Sequence, residues 1–290
     1  MKILRNVILK NCTSIKIGGA AAYFCIPKDT ADLKSALEFA REKKIPFTII
    51  GMGTNLLAFD RGFNGLVIKV AGGMSQIKIE RNRITVGAGL YLPKLLNLVM
   101  RKSLGGLEFL AGIPGTVGGA VVMNAGAWGS EIAKYVIRVR AMDYAGKEKI
   151  INHKKMGFGY RKSIFQNANL ILSEVELKLG KRRKKEIKQL IASYLEKRKS
   201  SQPLGIPNAG SVFKNPKGKY AGQLIEAAGA KGMRIGDAQV STKHANFIVN
   251  LGEASARDVI KLMTRVQKVV KEKHKIQLEP ELKVMVKFQR

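Results

Sequence analysis

Apolar residues recur along this chain in two rhythms, and the rhythm of each stretch names its element. Leu33, Ala36, Leu37 and Ala40 follow the spacing of one helix face while Lys34, Glu38 and Arg41 fall elsewhere on the wheel, which predicts a helix capped by Asp29 or Thr30 and ended by Pro46. Leu95, Leu96 and Val99 do the same for a helix over 92–103. Short apolar or alternating runs at 23–26, 47–50, 66–70, 76–80, 83–86, 136–144 and 170–179 read as strands. Beyond Gly180, Ile187, Leu190, Ile191, Tyr194 and Leu195 form one stripe of a helix, with Lys184, Lys188 and Lys197 off it. The pattern then gives a helix around 220–228, a strand at 246–249 and a helix over 256–273, capped by Ser255 and buried through Val259, Leu262, Met263, Val266 and Val270. A last strand spans 282–288, with Glu281 at its start.

Two stretches follow neither rhythm. Ala111 to Ser130 reads AGIPGTVGGAVVMNAGAWGS, with glycines at 112, 115, 118, 119, 126 and 129 and no Lys or Arg. Glycine lacks a Cβ, so its backbone takes positive φ and lets a ligand or another backbone come close; amides in such a run can hold a pyrophosphate without cationic side chains. A tightly packed turn between buried elements explains one such run equally well. A second glycine-rich turn, Gly51-Met52-Gly53-Thr54-Asn55-Leu56, follows the 47–50 strand, at the end of a strand where ligands bind in α/β sheets. It is not a dinucleotide fingerprint, because the third glycine is missing and no long helix fits before Asp60, Gly62 and Gly65; nor does any Gly-Lys-Ser or Gly-Lys-Thr phosphate loop occur.

The 290 residues suffice for two domains with real cores. Lys and Arg number 52 against 21 Asp and Glu, a formal charge of +31 that favours anionic partners. The cations are dispersed, with only Lys181 to Lys185 unbroken, and 7% aromatics give little material for stacking bases, so most of the charge reads as solvated surface and no nucleic-acid partner is expected. Cys12 and Cys25 make no disulfide framework, and His153, His244 and His274 form no metal-ligand spacing with them, so no structural metal is expected. Lys2 and Arg5 break any signal-peptide core and no run reaches membrane-spanning length, which points to the cytoplasm.

Six motifs, in order over nearly the whole chain, then carry a resemblance. They are Ile17-Gly18-Gly19, Gly51-Met52-Gly53-Thr54-Asn55-Leu56-Leu57, Gly112-Ile113-Pro114-Gly115-Thr116-Val117-Gly118-Gly119, Gly157 with Tyr160-Arg161-Lys162-Ser163, Gly210-Ser211-Val212-Phe213-Lys214-Asn215-Pro216 and Glu279-Pro280-Glu281. Together they resemble the UDP-N-acetylenolpyruvoylglucosamine reductase family. The resemblance implies an α/β (α+β) architecture: a vanillyl-alcohol-oxidase-type FAD-binding fold of two subdomains, about 1–70 and 71–180, then an α+β substrate-binding domain over 181–290. It implies non-covalent FAD, NADPH as electron donor and a UDP-sugar substrate, and the compact chain resembles the family's shorter class, without a tyrosine-bearing lid segment. By the same resemblance Gly51, Gly53, Thr54, Asn55 and Leu56, with Gly115, Thr116, Gly118, Gly119 and Gly126, line the cofactor. Lys283 stands where the family commonly has arginine, and Ala20 where it has proline.

The implied reaction passes hydride to the methylene carbon of an enolpyruvyl ether and leaves negative charge on the adjacent carbon and its carboxylate. Arg161 is expected to grip that carboxylate with two parallel bonds, Glu281 to assist by a hydrogen bond that needs a proton, and Ser211 to protonate the carbanion. Lys214 and Asn215 are expected at the substrate. On the residues alone, Arg161 suits a surface position, Ser211 a turn and Glu281 a strand start, and no spacing joins them. His244 reads as a structural histidine and Trp128 as packing beside the glycine-rich run. Two other readings stand beside the reductase: another FAD oxidoreductase of the same fold acting on a sugar or alcohol, and a basic nucleic-acid-binding protein.

Overall fold

The computed structural model describes residues 1–285. Its first larger sheet runs in the order Leu4–Ile8, Ala20–Cys25, Phe63–Lys69, Phe47–Ile50, the first pair antiparallel and the others parallel. Parallel neighbours need a crossover, and α1 (Thr30–Glu42) is part of it. Asp29 is its cap, accepting from the Asp32 amide at 2.8 Å, and Leu33, Ala36, Leu37 and Ala40 are its buried face. The Leu4–Ile8 strand, which no sequence rhythm announces, is almost wholly exposed at this sheet's edge.

The second sheet is antiparallel, in the order Glu148–Asn152, Val136–Asp143, Leu170–Lys178, Arg83–Gly87, Ile77–Glu80. Ile84, Val86, Val139 and Val175 share one core with Leu66 and Ile68 of the first sheet, joined by Leu95 and Val99 of α2 (Leu92–Arg101) and Val117 and Val121 of α3 (Val117–Val122). The helix α4 (Lys184–Ser201) packs Ile191 and Tyr194 against that same core.

A second core forms around the antiparallel sheet Asn208–Ser211, Phe247–Asn250, Ala238–Val240, Arg234–Ile235, with α5 (Ala221–Ala227) and α6 (Ala256–His274) contributing to it. Ser255 and Asp258 form a reciprocal capping box, and the five expected α6 residues are buried, each worth about 1.5–3 kcal/mol of apolar burial. Ile15, Ile17 and Leu57 reach into this core from the N-terminal half. The Asp60 carboxylate accepts from the Ala256 amide at 2.8 Å. Lys283–Val284 then pairs in parallel with Leu56–Leu57, so the chain end returns to the first glycine-rich loop. The rest of the strand expected over 282–288 lies outside the described residues from 286 onward.

Candidate active site

The two glycine-rich loops meet. Thr54 Oγ1 donates to the Pro114 carbonyl at 3.0 Å, and a Cβ on Gly51 would lie 3.1 Å from Thr116 Oγ1. None of the amides from Gly51 to Asn55, nor those of Gly115 and Thr116, donates a hydrogen bond to another described residue. Backbone N–H groups are rarely left without acceptors, and grouped like this they form a concave cradle for an anion. No lysine is needed inside it. FAD fits this set through its pyrophosphate.

Other glycines are spent on the fold. Gly53 has φ +68°, and a Cβ there would lie 2.1 Å from the Cys12 carbonyl oxygen; at Gly126 it would lie 2.7 Å from the Ser130 oxygen. The Gly118 amide already donates to the Ala88 carbonyl at 2.8 Å and the Gly119 amide to Thr116 Oγ1 at 3.2 Å. A Cβ on Gly119 meets only Thr116 Oγ1, at 3.4 Å, so that position is open next to Thr116 of the cradle.

Arg161 sits in a two-residue turn closed by Gly159 and Lys162, with φ +53°. A left-handed arginine costs about 1–3 kcal/mol and persists only where its surroundings hold it, as functional residues often are. Its Nε lies 2.7 Å from Glu281 Oε1, and both side chains are largely buried. Burial raises the Glu281 carboxyl above its ordinary value, and the Arg161 guanidinium opposes that shift without overcoming it. Ser211 ends the Asn208–Ser211 strand, next to Val212, whose carbonyl accepts from the Glu281 and Leu282 amides at 2.8 and 3.2 Å. Phe213 bridges Pro280. The serine-bearing and glutamate-bearing segments thus run side by side, and Ser211 Oγ makes no hydrogen bond among the described residues.

A cavity of about 630 Å³ opens here, lined by Tyr160, Lys162, Lys214, Asn215, Glu279 and Lys283 among others. Three lysines against one carboxylate make it a site for an anion. Lys214 is paired with Glu279 across it. Asn215 has its side-chain oxygen taken by the Ala221 amide at 2.9 Å, while its own amide donates to the Tyr160 hydroxyl at 3.3 Å, tying the Arg161 turn to the C-terminal half. Leu56 stands beside Lys283 in the parallel pair.

Sequence reasoning missed Arg198. Its guanidinium is buried, donates Nε–H to the Ala111 carbonyl at 2.8 Å and has no carboxylate partner among the described residues; burial and the nearby Arg161 charge both lower its pKa. Trp128 packs by stacking on Tyr194, with 5.4 Å between ring centres, yet remains 43% exposed beside the glycine-rich run. Burial lowers the His244 pKa, and its Nδ1 accepts from the Asn246 amide.

A mixed sheet, a lysine-free amide cradle and a lysine-bearing cavity flanked by the segments of a buried Arg–Glu pair fit an FAD-binding flavoprotein. Residues 21–152 match the family model described as an FAD binding domain, and a cholesterol oxidase structure shares the fold over 62% of this chain and 38% of its own at TM-score 0.51 and 15% identity. Residues 202–285 match the C-terminal domain of UDP-N-acetylenolpyruvoylglucosamine reductase. Reductases of that name from Desulforamulus reducens and Bacillus subtilis are 46% and 40% identical, aligning over 97% and 98% of this chain and 92% and 94% of theirs. The crystal structure of the Thermus caldophilus enzyme superposes at TM-score 0.83 with 38% identity, covering 98% of this chain and 99% of that one. The chain belongs to the UDP-N-acetylenolpyruvoylglucosamine reductase family.

Proposed function

We infer that this protein reduces UDP-N-acetylenolpyruvoylglucosamine to UDP-N-acetylmuramate for peptidoglycan precursor synthesis. The observation that carries this reading is the Arg161–Glu281 pair, whose chain neighbours Tyr160, Lys162 and Glu279 line a lysine-bearing cavity and whose glutamate segment is bonded to Val212, next to Ser211. FAD, held non-covalently and reduced by NADPH, supplies the hydride. The amides of residues 51–55, 115 and 116 would hold its pyrophosphate, with Gly119 open beside them, while Gly118 and Gly126 let the backbone behind them pack closely. Neither glycine-rich loop contains a histidine or cysteine to tether a flavin covalently.

Arg161 takes the substrate carboxylate, where charge grows as hydride reaches the methylene carbon; a guanidinium stays charged and binds a carboxylate through two bonds. Burial favours the protonated form of Glu281, the form that can lie near a substrate carboxylate and hydrogen-bond to it. Ser211 gives its hydroxyl proton to the resulting carbanion, and its free Oγ supports that role. Lys162, Lys214 and Lys283, with Asn215, receive the anionic nucleotide arm. No helix among the described residues is long and apolar enough to cross a membrane; a reaction that draws on NADPH and a nucleotide sugar suits the cytoplasm.

Purified protein tests this directly. It is expected to be yellow, to release FAD on denaturation, to bleach with NADPH and to recover its colour on adding the UDP-enolpyruvyl sugar. Bleaching by a sugar or alcohol, with colour recovered by oxygen and not by the UDP-enolpyruvyl sugar, defeats the reading.

A further inference from the structure

The turn that presents Arg161 is fastened to the end of α3 by a side chain with no role in the scheme above. Gln166 Nε2 lies 2.8 Å from the Arg161 carbonyl oxygen and 3.1 Å from the Val122 carbonyl oxygen, with Met123 Sδ a longer third acceptor at 3.7 Å, so the two carbonyls are the nearer partners of its two amide hydrogens. Its Oε1 receives a long contact from Lys283 Nζ at 3.5 Å. Two further bonds join the same surfaces: Ser163 Oγ donates to Val122 O at 2.7 Å, and Asn124 Nδ2 donates to Gly159 O at 2.9 Å. The Val122 carbonyl is one of the last of α3, left without an intrahelical partner, and these side chains supply one. At its other end α3 begins after Thr116 and includes Gly119, both at the phosphate cradle.

We propose that Gln166 is a positioning residue for Arg161: its amide pins the Arg161 carbonyl to the end of α3 and so holds the left-handed turn from which the guanidinium reaches Glu281 and the substrate. The proposal rests on the reading of Arg161 as the residue that meets the substrate carboxylate. Its chemistry is specific to a donor. A glutamate would set a carboxylate against two carbonyl oxygens, a methionine would fill the space with nothing to donate, and a lysine would supply donors from a single nitrogen. The cofactor cradle and the guanidinium then move as one body, and loss of the clamp is felt only where the guanidinium is used.

The test separates the two half-reactions by stopped-flow absorbance of the flavin. In Gln166→Met, reduction by NADPH is expected within about twofold of wild type, while reoxidation by the UDP-enolpyruvyl sugar slows by about tenfold or more. Gln166→Lys is expected to recover most of that loss. In an Arg161→Lys background, Gln166→Met should add less than about twofold, because both act through one group. Wild-type reoxidation in Gln166→Met, an equal loss in both half-reactions for the Met and Lys variants, or a full tenfold effect surviving in the Arg161→Lys background would each overturn the proposal. If Arg161→Lys alone reoxidises at the wild-type rate, the reading of Arg161 fails and takes this proposal with it; if that variant is slow and Gln166→Met is not, only the proposal fails.

Discussion

Asn55 Nδ2 donates to the main-chain carbonyl of Glu281 at 3.2 Å, and the Asn55 carbonyl in turn accepts from the Lys283 amide at 3.2 Å. One residue of the Gly51–Leu56 loop therefore holds the segment that carries the carboxyl partner of Arg161. Asn55→Ala leaves the Glu281 carbonyl without that donor, at a cost of about 1–3 kcal/mol. Both a lower melting temperature and slower flavin reoxidation by substrate are expected, measured by thermal scans and stopped flow. A variant that loses FAD but keeps the wild-type reoxidation rate when resupplied would show that the link does not position Glu281.

The raised pKa of Glu281 sets a pH dependence whose sign is fixed. A carboxyl that is more basic folded than unfolded contributes stability that is fully present below its ordinary unfolded value, about 4.3, and is lost as pH rises through the raised folded value. Glu281→Gln cannot titrate. The melting temperature of wild type minus that of Glu281→Gln is therefore expected to fall as pH rises from about 4 through neutrality. A difference that stays flat or grows across that range would mean that the Arg161 charge outweighs burial.

Ser211→Ala separates proton delivery from hydride delivery. Reduction of the flavin by NADPH needs no proton from Ser211 and is expected to stay near wild type, while the substrate half-reaction falls by about 10² or more, the range for losing a positioned general acid. The absence of any Ser211 Oγ hydrogen bond among the described residues makes the alanine variant structurally mild, so equal melting temperatures are expected. Equal loss in both half-reactions would remove Ser211 from the role.

The sequence carried local structure further than it carried convergence. The α1 and α6 faces are readable because period and cap agree, and Asp29 and Ser255 each bond the amide three residues on. The α4 stripe is readable only in part: Ile187 is buried, but Leu195 is 44% exposed and Arg198 lies underneath. A long guanidinium stem buries like a hydrophobe while its head finds a carbonyl, and polarity patterns do not register that. The contact of Arg161 with Glu281, and the run of the Ser211 segment beside the Glu281 segment, depend on a strand bridge, a left-handed turn and the return of the chain to Leu56, none of which has a local signature. In the same way, a run of glycines does not tell which serve a ligand and which let two backbones touch.

Gly118 and Gly119 settle that last distinction by experiment. They are neighbours in α3, so an added methyl costs each the same backbone freedom. At Gly118 the new Cβ would lie 2.9 Å from Ala88 Cβ and 3.0 Å from its carbonyl oxygen, inside the packed wall behind the cradle. At Gly119 the nearest atom is Thr116 Oγ1 at 3.4 Å and no other lies within 4 Å, so a methyl there would stand in open space beside the glycine-rich loops. Gly118→Ala is expected to destabilise the apoprotein by about 1–3 kcal/mol through overpacking. Gly119→Ala is expected to leave apoprotein stability within about 0.5 kcal/mol of wild type and to weaken FAD binding by about tenfold or more, read by quenching of flavin fluorescence on titration. The reverse pattern, with Gly119→Ala unstable and still yellow, would place the cofactor on the other side of α3 and break the link between its phosphate cradle and the Arg161 turn.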